Sequence, residues 1–259
     1  MKKIISLVMC AVLLFTCAFA LTSCGPKGKT LDEVKEAGKL VIATSPDFPP
    51  FENLEGNEVV GIEIDIMKLI CEKLNVELVI ETMDFDSVMV GIPAAKYDCG
   101  VSGITVTPDR EKNMRFTTPY YVAAQCIVVK EGSDIKGVAD LEGKKVSVQT
   151  ATTAEDACLE AKYDVLSFQN NADAKTALTT NKVNAWVVDN LTALQMVEEG
   201  DGLVILEEEL TEEPYAFAFA YGSETLVAAI DEVLKELIAD GTIEGIFTKW
   251  GEEYVAPKN

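Results

Sequence analysis

The chain has 259 residues, of which 48% are hydrophobic and 25% charged, enough apolar content for one large or two medium cores and too much for a disordered segment. Acids outnumber bases 43 to 22, histidine is absent and the formal charge is -21. Nucleic acid is thereby excluded as a partner, since displacing its counterions takes clustered Lys and Arg. The balance predicts a solvated, soluble surface instead.

At the N-terminus, Lys2 and Lys3 precede an uncharged apolar run from Ile4 to Leu21, the arrangement of an export signal. The run of about 18 residues is also just long enough to cross a bilayer. It ends in "LTSC", where Thr22 and Ser23 directly before Cys24 resemble the lipobox of bacterial lipoproteins. That resemblance implies a signal peptide over 1–23 and a diacylglycerol on the sulfur of Cys24. The polar "GPKGKT" behind it suits a flexible tether, which is expected over 24–37.

Seven cysteines do not make a disulfide framework here, because Cys10 and Cys17 fall in the signal and Cys24 at its processing site. Cys71, Cys99, Cys126 and Cys158 lie in apolar runs without C-x-x-C spacing, and no histidine exists to complete a zinc site. They read as small buried hydrophobes, with a single disulfide as the alternative. Neither a metal nor a cofactor is expected.

Along the rest of the chain, strand and helix signals alternate. "KLVIATS" is a buried strand, and "GIEIDIMKLICEKLN" sets Ile62, Ile66, Leu69, Ile70 and Leu74 on one helical stripe. "VELVIETM" is a strand, "DFDSVMVGIPAAKY" a helix that Pro93 kinks or ends, and "DCGVSGITV" a strand. After "AAQCIVVKEGSD" the pattern restarts, with strands at "KKVSVQT", "DVLSFQN" and "VNAWVVDN" and helices at "TTAEDACLEAKY" and "ADAKTALTTNK". Two such units predict an α/β protein of two lobes, each a mostly parallel sheet covered by helices on both faces. The tail "ETLVAAIDEVLKELIADGTIEGIFTKWG" is two helices broken at Gly241, whose stripe Leu226, Ile230, Leu234, Leu237 must pack on an existing lobe. "YAFAFAY" alternates as a strand and, with the segment near Ala123 to Cys126, supplies two interlobe crossings. Lobe 1 is expected over 38–123 and 218–259, and lobe 2 over 124–217.

Ligands of open α/β sheets gather at the carboxyl ends of strands, and small-molecule sites favour domain interfaces. The polar ends of "DCGVSGITV" and "VNAWVVDN" therefore face one cleft. On spacing alone, Arg110 in "VSGITVTPDR" has two readings, a ligand anchor or a surface partner of Asp109 or Glu111.

Seven segments, "ATSPDFPPFE", "GIEIDIMKLICEKL", "MDFDSVM", "SGITVTPDREKNMRFTTPYY", "LEGKKVSVQTATTAED", "VNAWVVDN" and "ADGTIEGIFTKW", together resemble the polar amino-acid family of extracytoplasmic solute-binding proteins, the receptors of ABC importers. The resemblance spans the mature chain in order. It implies a periplasmic-binding-protein-like fold with a two-strand hinge, a monomer, an L-amino acid ligand of polar or basic type, a permease partner and hinge closure on the ligand, in a protein lipid-anchored outside the cytoplasm. Arg110 is then the bidentate fork for the ligand carboxylate, with backbone N–H groups and hydroxyls at Ser102, Gly103 and Thr105 beside it. Thr107-Pro108 starts a short helix nearby.

The ammonium anchor is Asp189, whose competing role is N-cap of "NLTALQMVEE". Thr152 and Thr153 match the family's second carboxylate contact, although plain N-caps would look the same. Phe48 and Phe85 match positions that lie against the ligand side chain, and Ser45 and Gln149 match positions that vary with ligand choice. Asp47 or Glu52 either favours a cationic ligand or faces solvent. Ser45 stands where several receptors for glutamine, histidine or lysine carry an acid, and Val188 where the glutamine receptor has a histidine, which argues against strict glutamine or histidine specificity. An exported cyclohexadienyl dehydratase shares the scaffold and is the rival reading. Without histidine, a G-x-S-x-G elbow or a metal cluster, no enzyme is expected.

Overall fold

The computed structural model describes residues 26–258, so the signal-peptide reading and Cys24 lie outside the described residues. In chain order the first stretch contains α1 (Leu31–Ala37), β1 (Lys39–Thr44), β2 (Asp47–Phe48), β3 (Glu52–Glu55), β4 (Glu58–Val60), α2 (Ile62–Leu74), β5 (Glu77–Thr82), α3 (Phe85–Gly91), β6 (Cys99–Gly100), α4 (Pro108–Glu111), β7 (Arg115–Phe116) and β8 (Tyr121–Ala123). The second contains β9 (Gln125–Lys130), β10 (Lys145–Gln149), α5 (Thr153–Glu160), β11 (Asp164–Phe168), α6 (Asn171–Thr179), β12 (Ala185–Asp189), α7 (Asn190–Met196) and β13 (Leu203–Glu209). The chain then returns through β14 (Glu213–Tyr215) and β15 (Ala218–Phe219) to α8 (Glu224–Ala239) and α9 (Thr242–Lys249).

Two five-stranded sheets result, ordered β5-β1-β6-β15-β7 and β11-β10-β12-β9-β13. In each, three neighbouring strands run parallel, the crossover geometry of β-α-β units, and the last two are added through antiparallel pairs, so that β15 and β9 alone run against the rest. Both sheets are covered on both faces, as the period-2 burial requires. Leu40 and Ile42 of β1 face one apolar cluster, while Val41 and Ala43 face another. Cys126 and Val128 of β9 face one side of the second sheet, and Ile127 and Val129 the other.

Helix α8 packs on the first lobe through Leu226, Ile230, Leu234 and Leu237, all buried in its largest cluster, each contributing about 1.5–3 kcal/mol by leaving water. The four described cysteines are buried free thiols. No helix among the described residues is long and apolar enough to cross a membrane.

Three segments differ from the sequence expectation. Residues 31–37, assigned above to the tether, form α1, because Thr30 and Glu33 close a reciprocal capping box and Val34 is buried. Ahead of it, Gly28 N–H bonds Tyr221 O at 2.8 Å and Lys29 pairs with the buried Asp98 at 2.9 Å, so the fold already holds the chain at residue 28. Residues 47–60 fold as a small three-stranded sheet, β2-β3-β4, whose second turn is Gly56-Asn57. Gly56 sits at φ 63°, the left-handed conformation a two-residue hairpin needs.

The returning crossing is made by β14, which pairs antiparallel with β8 at Glu213↔Ala123, Pro214↔Val122 and Tyr215↔Tyr121. "YAFAFAY" is divided after Tyr215, with Phe217 bonded through its backbone N–H to Thr117 Oγ1 at 3.1 Å and Ala218 paired in the first sheet. Two adjacent antiparallel strands thus join the lobes.

Candidate functional site

All eleven residues singled out in the sequence, together with Asp47, line one cavity between the lobes, with about 320 Å3 of space between their atoms. The lining residues sit where the topology puts strand ends: Ser45 after β1, Ser102 to Thr105 after β6, Gln149 to Thr153 between β10 and α5, and Asp189 at the end of β12. Phe48, Phe85 and Arg110 come from β2, α3 and α4.

Arg110 does not pair with Asp109 or Glu111. Its guanidinium is turned inward, 9% exposed, donating Nη1–H to Thr105 O at 2.9 Å and Nη2–H to Ala151 O at 3.1 Å, across the cleft. Thr107 caps the short α4 by accepting Arg110 N–H at 3.2 Å. Of five guanidinium N–H groups, two are used in this way and the others remain for a ligand. Phe85 lies under the guanidinium, with its ring centroid 5.9 Å from Cζ. Burial pushes the Arg110 pKa below its ordinary value, with Glu213, Asp156 and Asp189 opposing. Ala151, whose carbonyl Arg110 holds, sits at φ 66°, a conformation that costs a residue with a Cβ about 1–2 kcal/mol.

Asp189 is buried and is backbone N-cap of α7, yet its side chain makes no cap bond. One oxygen accepts Gln125 Nε2–H at 2.9 Å and the other accepts the Tyr215 hydroxyl. No cation adjoins it, and burial with the nearby Glu213 raises its pKa to about 7. Thr152 is the N-cap of α5, accepting Glu155 N–H at 3.2 Å, whereas Thr153 donates to Glu213 at 2.8 Å.

Glu213 and Gln125 were not singled out in the sequence. Glu213, 2% exposed on the hinge strand, accepts Thr105 Oγ1–H from the first lobe at 2.6 Å and Thr153 Oγ1–H from the second. In "TEEPY" or "AAQC" nothing but hinge proximity distinguishes these residues from a solvated acid or a strand polar group.

Opposite Asp189, a second acid faces the space. Asp47, half-buried, accepts Ser45 Oγ–H at 2.8 Å, Gln149 Nε2–H at 3.2 Å and Asn171 N–H at 2.9 Å, the last two from the other lobe. Burial raises its pKa against these bonds. Gln149 is in turn fixed by Asn171 Nδ2–H on its Oε1 at 2.9 Å and by Gln169 O at 3.1 Å. Phe48 packs so closely on Gly103, at φ 53°, that a Cβ there would come within 2.5 Å of the ring.

Glu52 does not face the solvent or the cavity. It is fully buried beneath the floor, accepting Ser102 Oγ–H at 2.8 Å, with Glu63 beside it accepting Gly103 N–H at 2.9 Å and the Tyr120 hydroxyl. Burial and the adjacent Glu63 carboxyl push the Glu52 pKa well above its ordinary value, burial raises that of Glu63 too, and through Ser102 and Gly103 the two carboxyls pin the 102–103 loop from below. Among the described residues, no group of three or more His, Cys, Asp or Glu is placed to hold a metal.

Two sheet lobes on a two-strand hinge, closing over a cavity with a buried cation on one lobe and a buried acid on the other, define a receptor for a small zwitterionic solute. The chain belongs to the bacterial extracellular solute-binding proteins, family 3, whose model matches residues 40–253. It is 31% identical over 257 residues to the arginine-binding extracellular protein ArtP of Bacillus subtilis (strain 168), covering 96% of this chain and 98% of that one. An ancestral arginine-binding protein bound to glutamine has the same fold at TM-score 0.79 and 38% identity, over 83% of this chain and 99% of its own. The ancestral amino acid-binding protein AncCDT-1, a precursor of cyclohexadienyl dehydratase, matches at TM-score 0.79 and 32% identity, over 86% and 99%.

Proposed function

We propose that the protein captures a polar or basic L-amino acid outside the cytoplasm and delivers it to an ABC transporter permease. One observation carries this reading: Arg110 and Asp189 line one cavity from opposite lobes, each buried and neither with an ionic partner in contact among the described residues. A zwitterion supplies both partners, its carboxylate to Arg110 and its ammonium to Asp189. Phe48 and Phe85 flank its carbon chain, backbone N–H groups at Ser102, Thr105, Thr152 and Thr153 complete the carboxylate site while the Gly103 N–H is held by Glu63, and Ser45 and Gln149 stand at the side-chain end.

Lobe 1 (38–123 and 218–259) and lobe 2 (124–217) rotate about β8 and β14, and ligand bound first to lobe 1 favours the closed form because the anchors of lobe 2 reach it only there. The protein acts as a monomer held to the membrane through a lipidated Cys24. The relative ArtP, named for arginine, and the ancestral protein bound to glutamine support the ligand class.

The test is a thermal-shift panel of the twenty amino acids with ornithine, citrulline and cystine on purified protein freed of bound ligand. At a hundred times its dissociation constant, the ligand adds about 2.7 kcal/mol, a shift of several degrees. A flat panel in folded protein refutes the reading and turns attention to product formation from prephenate or arogenate. That outcome is not expected, since no histidine stands in the cavity and its one cation is an arginine.

A further inference from the structure

The hydrogen-bond polarity of the cavity has a specific pattern. Five hydroxyls line it, and each already donates its single proton to a protein acceptor. Ser45 donates to Asp47, Ser102 to Glu52, Thr105 and Thr153 to Glu213, and Thr152 to Gln149 O at 2.8 Å. The carboxylates behind the lining thus convert hydroxyls, which can serve either way, into acceptors as seen from the cavity.

The Gln149 amide is committed similarly, one N–H to Asp47 and one to Gln169 O. What remains to donate is Arg110 and the backbone. Arg110 is fixed elsewhere: its partners are Thr105 O and Ala151 O, those of Asp189 are Gln125 and Tyr215, and those of Asp47 are Ser45, Gln149 and Asn171, with no member in common.

The geometry points to Asp47 as a specificity-determining residue that, with Ser45 and Gln149, makes the side-chain end of the cavity an acceptor-only wall. This inference rests on the amino-acid receptor reading above. The wall takes a side chain that ends in a hydrogen-bond donor, such as a guanidinium, an ammonium or a carboxamide NH2, and rejects one that ends in a carboxylate. A carboxylate there meets lone pairs and a negative charge, with no proton to accept and none to give, which selects against it without any steric clash. The wall exists only when the lobes are closed, because Gln149 and the Asn171 N–H belong to the opposite lobe from Asp47.

Glutamine and glutamate differ at the terminal group alone and make the cleanest probe pair. Titration calorimetry of the wild-type protein with each is expected to show glutamine at least about a hundredfold tighter than glutamate. In Asp47→Asn and in Asp47→Ala the ratio is expected to fall at least about tenfold, because the repelling charge is gone. Arginine and lysine serve as further donor probes. Wild-type affinities for glutamine and glutamate within threefold of each other, or a ratio unchanged in both variants, overturn this inference while leaving an amino-acid receptor standing. If no amino acid binds folded wild-type protein, the receptor reading itself falls and this inference with it.

Discussion

Replacing Asp189 by Asn tests the anchor assignment with two effects of opposite sign. In the empty cavity, burial and Glu213 hold the Asp189 carboxyl at about 7 against an ordinary 3.8. At about 1.36 kcal/mol per unit, keeping it ionised costs the folded protein up to about 4 kcal/mol, less where opening of the lobes lets water reach it. The acid is raised, so this cost is absent below its unfolded pKa, grows as pH climbs toward 7 and is constant above. Asn is isosteric and keeps the Tyr215 bond, while Gln125, whose Oε1 is buried without a partner, can turn to accept the new amide N–H.

Chemical denaturation of the ligand-free variant at pH 8 should therefore show it more stable than wild type by up to about 4 kcal/mol, with the difference gone near pH 4. Amino-acid affinity should fall at least about a hundredfold, since removing one partner of a buried charge pair costs about 3–5 kcal/mol. A variant that binds within tenfold of wild type, or that is less stable at pH 8, would refute the assignment of the ammonium to Asp189.

Arg110→Ala removes the other anchor and should weaken binding at least about a hundredfold by calorimetry; affinity within tenfold of wild type would remove the carboxylate role. With the ligand's ammonium on ionised Asp189, as proposed, affinity should be level just above about pH 7 and fall about tenfold per unit below it, a slope that Asp189→Asn should abolish. Persistence of the slope in that variant would assign the titration to another group. Ile230→Ala, in the fully buried stripe of α8, should cost about 2–4 kcal/mol in denaturant melts yet leave affinity within threefold while the protein is folded. A large affinity loss would mean that α8 does more than cover the first sheet.

The helix and strand periods made most of this architecture legible, because both lobes are built of β-α-β units whose apolar runs have one reading each. β10, α5, β11 and β12 fall within the segments named from the sequence, and α6 begins one residue ahead of its segment. What escaped lies where local signals are short. The hairpin at 52–60 has its Gly56-Asn57 turn in plain view, but its strands are too short for their period to declare them. Helix α1 had its Thr30-Glu33 box but followed a tether-like composition. At the site, Arg110 and Asp189 stood out as charges at strand ends, whereas Glu213 and Gln125 acquire meaning only when the hinge folds 90 residues of intervening chain out of the way. Glu52 and Asp47 look interchangeable in "SPDFPPFE", and only the direction of each side chain separates a buried floor from a cavity wall.

Burial of unmatched charge is what makes such a fold respond to its ligand. Arg110 and Asp189 are both desolvated in the closed lobes, and each is hydrogen-bonded only to neutral groups, Arg110 drawing longer-range attraction from Glu213, Asp156 and Asp189. Closing empty therefore carries most of the electrostatic cost without a contacting ion pair to offset it, and the cost at Asp189 alone, up to about 4 kcal/mol, corresponds to about a thousandfold bias against the closed form. Glu213 and Asp47 work in the other direction, since their interlobe hydrogen bonds are available at closure whether or not a ligand is present. The balance between these two sets is the closing free energy of the empty protein. On the proposed binding mode a zwitterion tips it by supplying an anion to Arg110 and a cation to Asp189, and a molecule bearing only one of the two charges is expected to leave an anchor stranded and the lobes apart.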